Sequence, residues 1–175
     1  MSDSHAPADA PLVTPFAAAL DAELDLSITR VIRAPRALVW RAWADADRLA
    51  KWWIPAPMSL RVDRLELVPG GAFVTRMSED GETFVPHMNV VFVTVEASRR
   101  IVFTNAIDAD WRPAQPAPVP LTAEFVFTDH PEGTEYRATA RHATAADRAS
   151  HEALGFVEGW GMVTDALAAL AESEV

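Results

Sequence analysis

The sequence predicts an α+β fold, in which an antiparallel sheet of about seven strands is covered by a long C-terminal helix. Two patterns carry this prediction. Between residues 59 and 142, segments that alternate apolar and polar side chains are separated by turns containing glycine, which is typical of antiparallel strands. After residue 144, apolar side chains recur at the three- and four-residue spacing of an α-helix.

Composition narrows the class of protein. With 175 residues, half of them hydrophobic, the chain has the size of one domain and enough apolar surface for a core. The net charge of −10 argues against nucleic acid or an anionic membrane as a partner, because both attract basic surfaces. The absence of cysteine excludes disulfides and thiolate chemistry.

The chain divides into a tail and a domain. Residues 1–23 are rich in alanine, proline and aspartate without a sustained period, which predicts a flexible tail, and residues 24–175 form the single predicted domain. The first residues lack the basic start and apolar run of a signal peptide, and no stretch approaches the ~20 apolar residues of a membrane span. We therefore expect a cytoplasmic protein.

The domain begins with a strand and two short helices. Residues 24–32 alternate apolar and polar side chains, as a half-buried strand does. Pro35 suits the first turn of a helix, whose apolar stripe extends to Trp43. Asp45 can cap a second helix by accepting from free amides of its first turn, and Pro55 lies beyond its end.

Strands and one long helix account for the rest of the domain. Alternation predicts further strands over residues 60–68, 72–78, 83–95, 100–106, 121–128 and 134–142. Turns containing Gly70, Gly81 and Gly133 offer the positive φ that tight hairpins need. Thr144 and Asp147 resemble a capping box and predict the start of the long helix. Its apolar stripe consists of Phe156, Trp160, Val163, Leu167 and Leu170.

This order of elements resembles the helix-grip fold of the START-like, or SRPBCC, superfamily. A closer resemblance rests on Arg33-Ala34-Pro35-Arg36 to Trp43, Leu49, Trp52-Trp53, Pro69-Gly70-Gly71, Val102-Phe103-Thr104, Glu158-Gly159-Trp160 and Leu167. Over about residues 24–172, these signatures are similar to the homologues of the heat-shock-protein ATPase activator's C-terminal domain. The resemblance implies a curved sheet wrapped around the C-terminal helix, with a cavity between them for apolar or amphipathic molecules. The family commonly has Gly-Pro where this chain has Ile54-Pro55, so its cavity entrance is expected to differ.

The candidate ligand-binding residues fall into two groups. The aromatic residues predicted to wall the cavity are Trp52, Phe125, Phe156 and Trp160, although burial preferences favour simple core packing for each. The polar residues that could orient a ligand are His87, Asn89 and Asn105, unless their strand face is solvated. Trp111 lies in the proline-rich loop 108–120, where specificity is expected to vary.

Three glycines in the predicted long helix need an explanation. Gly155, Gly159 and Gly161 each cost roughly 1 kcal/mol of helix stability relative to alanine. Close packing of the helix on the sheet would explain them, and so would space for a ligand beside Trp160. The residues alone leave both explanations open.

Three functions are compatible with these features. The leading hypothesis is a small cytoplasmic protein that binds a hydrophobic or amphipathic molecule. The second is an enzyme of the polyketide-cyclase or hydratase kind, in which His87 or His142 exchanges protons with a carbonyl compound. The third, suggested by the resemblance, is an interaction domain with a chaperone partner. No cofactor or metal site is predicted, and a homodimer is possible.

Overall fold

The computed structural model describes residues 19–116 and 118–175, so most of the predicted tail lies outside the described residues. Within them, the predicted α+β class is confirmed. The strands are β1 (Asp25–Ile32), β2 (Ser59–Leu65), β3 (Ala72–Ser78), β4 (Val85–Glu96), β5 (Arg100–Thr104), β6 (Thr122–His130) and β7 (Gly133–Arg141). The helices are α1 (Arg36–Ala44), α2 (Ala46–Leu49), α3 (Ala145–Ala153) and α4 (Phe156–Glu172).

The strands form one antiparallel sheet in the order β1-β7-β6-β5-β4-β3-β2. Strands β2 to β7 make a meander, in agreement with the turn glycines in the sequence. The first strand joins the sheet beside the last, with Ile28 of β1 opposite Ala138 of β7. Helices cover one face of this sheet, which gives the two-layer arrangement expected of an α+β domain.

An aromatic core joins the helices to the inner face of the sheet. Trp43 of α1 is fully buried, and its ring centroid lies 4.6 Å from that of Phe125 on β6. Trp160 of α4 stacks on the same phenyl ring at 5.8 Å. Trp53, in the segment after α2, reaches Phe73 of β3 at 5.4 Å. The rings therefore connect elements from both ends of the chain across the middle of the sheet.

The predicted long helix is broken in two, which corrects the prediction of one continuous helix after Thr144. Thr144 caps α3 as predicted, by accepting a hydrogen bond from the Asp147 amide. Gly155 then adopts a φ of +90°, and α4 begins at Phe156 in a direction 65° away from that of α3. Among the described helices none is by itself long and apolar enough to cross a membrane, although α3 and α4 pass that test as a bent pair.

We expect Gly155→Ala to lower the free energy of unfolding by about 1–2 kcal/mol, because a side chain is disfavoured at positive φ. Gly161→Ala is the matched control, since a Cβ added there would meet no atom within 4 Å. That substitution should raise the free energy of unfolding by up to about 1 kcal/mol. Urea unfolding of both variants measures the two effects, and effects of the same sign would contradict this account of the break.

The outer face of the sheet is not uniformly solvated. Glu124 of β6 alternates with the buried Ala123 and Phe125 and therefore lies on the outer face, yet it is only 2% exposed. Its carboxylate accepts hydrogen bonds from Arg100 on β5 at 2.7 Å and from Arg141 on β7 at 2.8 Å. Arg141 also donates to Asp25 of β1 at 3.0 Å. Neighbouring strands thus surround a carboxylate with the opposite charges that its burial requires.

Candidate ligand-binding site

Two indole rings after α1 are held in place by their own N–H groups. Asp45 caps α2 as predicted, and this helix leads directly into the tryptophan pair. Trp52 donates to the carbonyl oxygen of Ala42 at 3.0 Å, and Trp53 donates to the sulfur of Met88 at 3.1 Å. Because the buried Trp52 and the partly buried Trp53 each have a partner for their polar atom, both rings can stay in an apolar environment.

These rings form one end of a space between the inner sheet face and α4, which we call the apolar compartment. Its volume is about 220 Å³. The sheet contributes residues of β4, β6 and β7, and α4 contributes the opposite wall. The residues around it are Trp52, Trp53, Ile54, Pro55, His87, Met88, Phe125, Tyr136, Ala138, Gly159, Trp160, Val163 and Thr164. The departure from the family pattern at Ile54-Pro55 therefore lies at this compartment.

The wall formed by α4 has open space at a glycine. Gly159 borders the apolar compartment, and a Cβ built there would meet no atom within 4 Å. Close packing of the helix on the sheet therefore does not explain this residue. The next residue, Trp160, lies nearly parallel to Phe125, with an interplanar angle of 11°. The missing side chain thus leaves room beside a flat aromatic surface.

A second space, the polar compartment, adjoins the first and has a volume of about 470 Å³. The two share His87 and Met88 as bordering residues. The remaining residues around the polar compartment are Asn89, Val90, Phe103, Asn105, Asp108, Ala114, Gln115, Pro116, Pro118, Val119, Leu121 and His151. Much of its wall therefore comes from the proline-rich loop.

Two asparagines hold this loop against the sheet. Asn105 donates to the carbonyl oxygen of Val119 at 2.9 Å, and its side-chain oxygen accepts from the amide of Leu121 at 2.9 Å. Asn89 accepts from the amide of Ala109 at 2.9 Å. The two side chains thus form hydrogen bonds with loop backbone groups that lie outside the regular strands. The Asn105 amide is thus engaged at both its nitrogen and its oxygen, whereas Asn89 is bonded to the loop through its oxygen.

His87 reaches both compartments because of a β-bulge. In the β3–β4 pairing, Thr75 lies opposite Met88 whereas Arg76 lies opposite Pro86, so His87 is the extra residue. Simple alternation would separate His87 from Met88 on opposite faces. Its Nδ1 lies 3.0 Å from the Thr75 hydroxyl, and desolvation lowers the pKa of this histidine below its ordinary value.

His151 borders the polar compartment, and His142 is buried behind it. His142 Nδ1 lies 2.8 Å from the carbonyl oxygen of Leu24, which can only accept, so this nitrogen carries the proton. In the neutral ring Nε2 is then an acceptor, and it lies 2.9 Å from Nδ1 of His151. If His151 is neutral and donates from Nδ1, its Nε2 carries no proton and can act as an acceptor. His142 thereby sets the tautomer of His151.

The structure brings together some of the predicted site residues and separates others. Trp52, His87, Phe125 and Trp160 border the apolar compartment, and His87, Asn89 and Asn105 border the polar one. Phe156 is buried behind Trp160, with ring centroids 4.7 Å apart, and borders neither compartment. Trp111 is 65% exposed and packs over Gly70. His142 is buried behind His151.

Three further residues at the site were not among the candidates. Trp53 is part of the tryptophan signature, and Tyr136 alternates with the charged residues Glu135 and Arg137, so both carry a usable signal. His151 lies in the polar helix α3, where the sequence predicts exposed side chains, yet it contacts His142 and lies 5.8 Å from the Trp160 ring. No motif marks this contact. Within residues 19–116 and 118–175, no group of three or more potential ligands is placed to hold a metal ion.

The free energy of unfolding should fall as pH decreases from about 6.5 towards 4. Burial, followed by the charge of His142, lowers the pKa of His151 to about 4. The unfolded chain, with its ordinary pKa, therefore binds the proton more readily than the folded protein in this range. Between pH 6.5 and 4.5, we expect the free energy of unfolding of His151→Gln to fall by about 1 kcal/mol less than that of the parent protein. Urea unfolding at several pH values tests this, with His130→Gln as the control. If the free energy of unfolding of His151→Gln falls with pH as steeply as that of the parent protein, the prediction is contradicted.

Fold and site together define an α+β domain of the helix-grip class. A family model described as Activator of Hsp90 ATPase homolog 1-like protein matches residues 33–172, which is most of the chain, and the protein belongs to this family. A search of curated proteins found no match.

Solved structures carry the same domain. A protein from Nitrosomonas europaea is 37% identical, with a TM-score of 0.79, and the match covers 89% of this chain and 98% of that one. A protein from Mycobacterium smegmatis is 27% identical, with a TM-score of 0.69 and coverage of 85% and 90%. An AHSA1-like protein from Aeromonas hydrophila is 25% identical, with a TM-score of 0.63 and coverage of 86% and 94%.

Proposed function

We propose that this protein binds a hydrophobic or amphipathic small molecule, with the apolar part of the molecule in the apolar compartment. The observation that carries this proposal is the apolar compartment of about 220 Å³, which Gly159 leaves open beside the stacked rings of Trp160 and Phe125. A close-packed interior fills such space with side chains, because unfilled apolar volume is destabilising. Glycine at this position makes the helix less stable than alanine would. Binding of a ligand in the open space would offset this loss.

The arrangement of polar groups supports the same proposal. Small-molecule sites are mostly apolar concave regions with a small number of polar groups that orient the ligand. Here the apolar compartment of about 220 Å³ meets a more polar space of about 470 Å³ at His87. An amphipathic molecule could place its apolar part among the indoles and its polar part towards the histidines. His87, rather than Asn89 or Asn105, is then the orienting residue.

Titration with N-phenyl-1-naphthylamine, an uncharged fluorescent probe, tests this function. We expect saturable enhancement of probe fluorescence and matching quenching of tryptophan fluorescence, because Trp52, Trp53 and Trp160 border the apolar compartment. The midpoint of thermal unfolding should rise with probe concentration, as it does for any ligand that binds only the folded state. A linear, non-saturating signal with no thermal shift would overturn the proposal.

Proton-transfer catalysis is the second candidate function, and the histidine pair favours it. The bare Nε2 of His151 could accept a proton from the carbon next to a bound carbonyl and return it to the resulting enolate. Exchange of the methyl protons of 2-acetonaphthone in deuterium oxide, followed by NMR, tests this. Exchange above background that is lost in His151→Gln supports catalysis, and background exchange excludes it for this ketone.

The chaperone-partner hypothesis stays a prediction from family resemblance. Among the described residues, large exposed apolar side chains are distributed over loops, strands and helices, and include Val68, Val85, Val93, Trp111, Leu154, Val157 and Met162. This distribution gives the chaperone-partner hypothesis less support than the apolar compartment gives to small-molecule binding.

A further inference from the structure

A buried tyrosine hydroxyl at the apolar compartment has a proton without an acceptor. Tyr136 borders this compartment and is 1% exposed. Its oxygen accepts a long hydrogen bond from Trp43 Nε1 at 3.3 Å, and among the described residues nothing accepts its own proton. Burial raises the pKa of Tyr136, so the hydroxyl keeps that proton. A buried donor of this kind favours a ligand that brings an acceptor oxygen.

A second donor lies on the opposite wall. Three of the four indoles at or beside the compartment donate to protein atoms, whereas the N–H of Trp160 has no acceptor among the described residues. Both unmatched groups are donors, so a bound molecule that brings an acceptor oxygen can pair with either of them. A pure hydrocarbon would leave the Tyr136 proton unpaired.

Charge restricts the ligand further. Among the described residues, neither compartment is bordered by lysine or arginine, and the polar compartment is bordered by Asp108. The lowered pKa values of His87 and His151 keep both rings neutral near pH 7. A carboxylate or phosphate would therefore lose its hydration without gaining an opposite charge, which is strongly unfavourable.

Size and shape indicate a ring compound. Trp160 and Phe125 are nearly parallel, and the indoles of Trp52 and Trp53 meet almost edge to face, with an interplanar angle of 85°. Flat rings pack well against such surfaces. An apolar cavity of about 150 Å³ holds benzene, so a space of about 220 Å³ suits a somewhat larger ring system.

We propose that the apolar compartment selects an uncharged, flat ring compound bearing a carbonyl or similar acceptor oxygen, which accepts the hydrogen bond of Tyr136. This inference rests on the proposed small-molecule function and specifies its ligand class. Anionic lipids and aromatic carboxylates of equal apolar size are disfavoured.

Four naphthalene derivatives of similar size test the selection on the unmodified protein. They are 2-acetonaphthone, 2-ethylnaphthalene, 2-naphthoate and 2-naphthylmethylammonium, titrated at pH 7.5 by quenching of tryptophan fluorescence. We expect the ketone to bind at least about tenfold more tightly than the carboxylate and about fivefold more tightly than the hydrocarbon. Tighter binding of either ion, or equal binding of ketone and hydrocarbon, would overturn the inference while leaving a binding function in place. If none of the four binds and N-phenyl-1-naphthylamine also fails, the function and the inference fall together.

Tyr136→Phe identifies the donor. It should remove the preference for the ketone over the hydrocarbon without weakening the hydrocarbon more than about twofold. Because this substitution also removes the acceptor for Trp43, circular dichroism must first show that the variant is folded. The carbonyl stretching frequency of the bound ketone provides a second measurement on the unmodified protein. A shift to lower frequency than in hydrocarbon solvent is expected, and an unshifted band would contradict the hydrogen bond.

Discussion

Trp43→Ala should lower the free energy of unfolding by about 3–5 kcal/mol, which is a large part of the stability of a typical domain. The indole is fully buried and lies within 5.1 Å, centroid to centroid, of the rings of Trp52, Trp53 and Phe125. Its removal leaves a cavity among rigid aromatic neighbours that cannot collapse into it. It also removes the hydrogen-bond donor to the Tyr136 hydroxyl.

Urea unfolding followed by far-ultraviolet circular dichroism is the appropriate measurement, because removing an indole alters the fluorescence baseline. Trp111→Ala is the matched control, since this tryptophan is 65% exposed, and it should cost no more than about 1 kcal/mol. Trp43→Phe retains a ring and should have an intermediate effect, which stays measurable if the alanine variant does not fold. Equal losses for Trp43→Ala and Trp111→Ala would contradict the central place of Trp43 in the core.

Gly159→Leu should weaken binding of N-phenyl-1-naphthylamine by at least about tenfold, a change of about 1.4 kcal/mol in binding free energy. The new side chain would occupy the open space beside Trp160 in which we place the ligand. The variant should nevertheless fold, because leucine is a better helix former than glycine and a Cβ at this position meets no atom within 4 Å.

Gly161→Leu separates this steric effect from a general effect on α4. Gly161 also lies in α4 with open space at its Cβ position, but it does not border the apolar compartment. Probe affinity in this variant should stay within about twofold of that of the parent. If both leucine variants bind the probe like the parent protein, the ligand does not occupy the space beside Gly159.

Local patterns explain how much of the fold could be predicted. The strand alternation of β6 and β7 and the stripe from Phe156 to Leu170 depend only on which side chains face the core, and this repeats every two or about 3.6 residues. The caps at Asp45 and Thr144 depend on one side chain and an amide three residues away. Such signals stay within a few residues, and the structure agrees with them.

Departures from these patterns arise where one residue breaks the repeat. The bulge at His87 turns this side chain to the same compartments as Met88, and the positive φ of Gly155 separates α3 from the apolar stripe of α4. The burial of Glu124 depends on Arg100 and Arg141 of the two adjacent strands. A sequence pattern specifies neither a bulge nor a cross-strand charge pair.

The chain order therefore specifies the α+β class, the sequence of elements and the aromatic inner face, because each follows from the periodicity of a single segment. The composition of the site depends instead on contacts between segments far apart in the chain. Met88 meets Trp53, His142 meets Leu24, and α3 brings His151 to the wall of the polar compartment. These contacts follow from strand register and the angle between α3 and α4, which emerge only when all elements pack together.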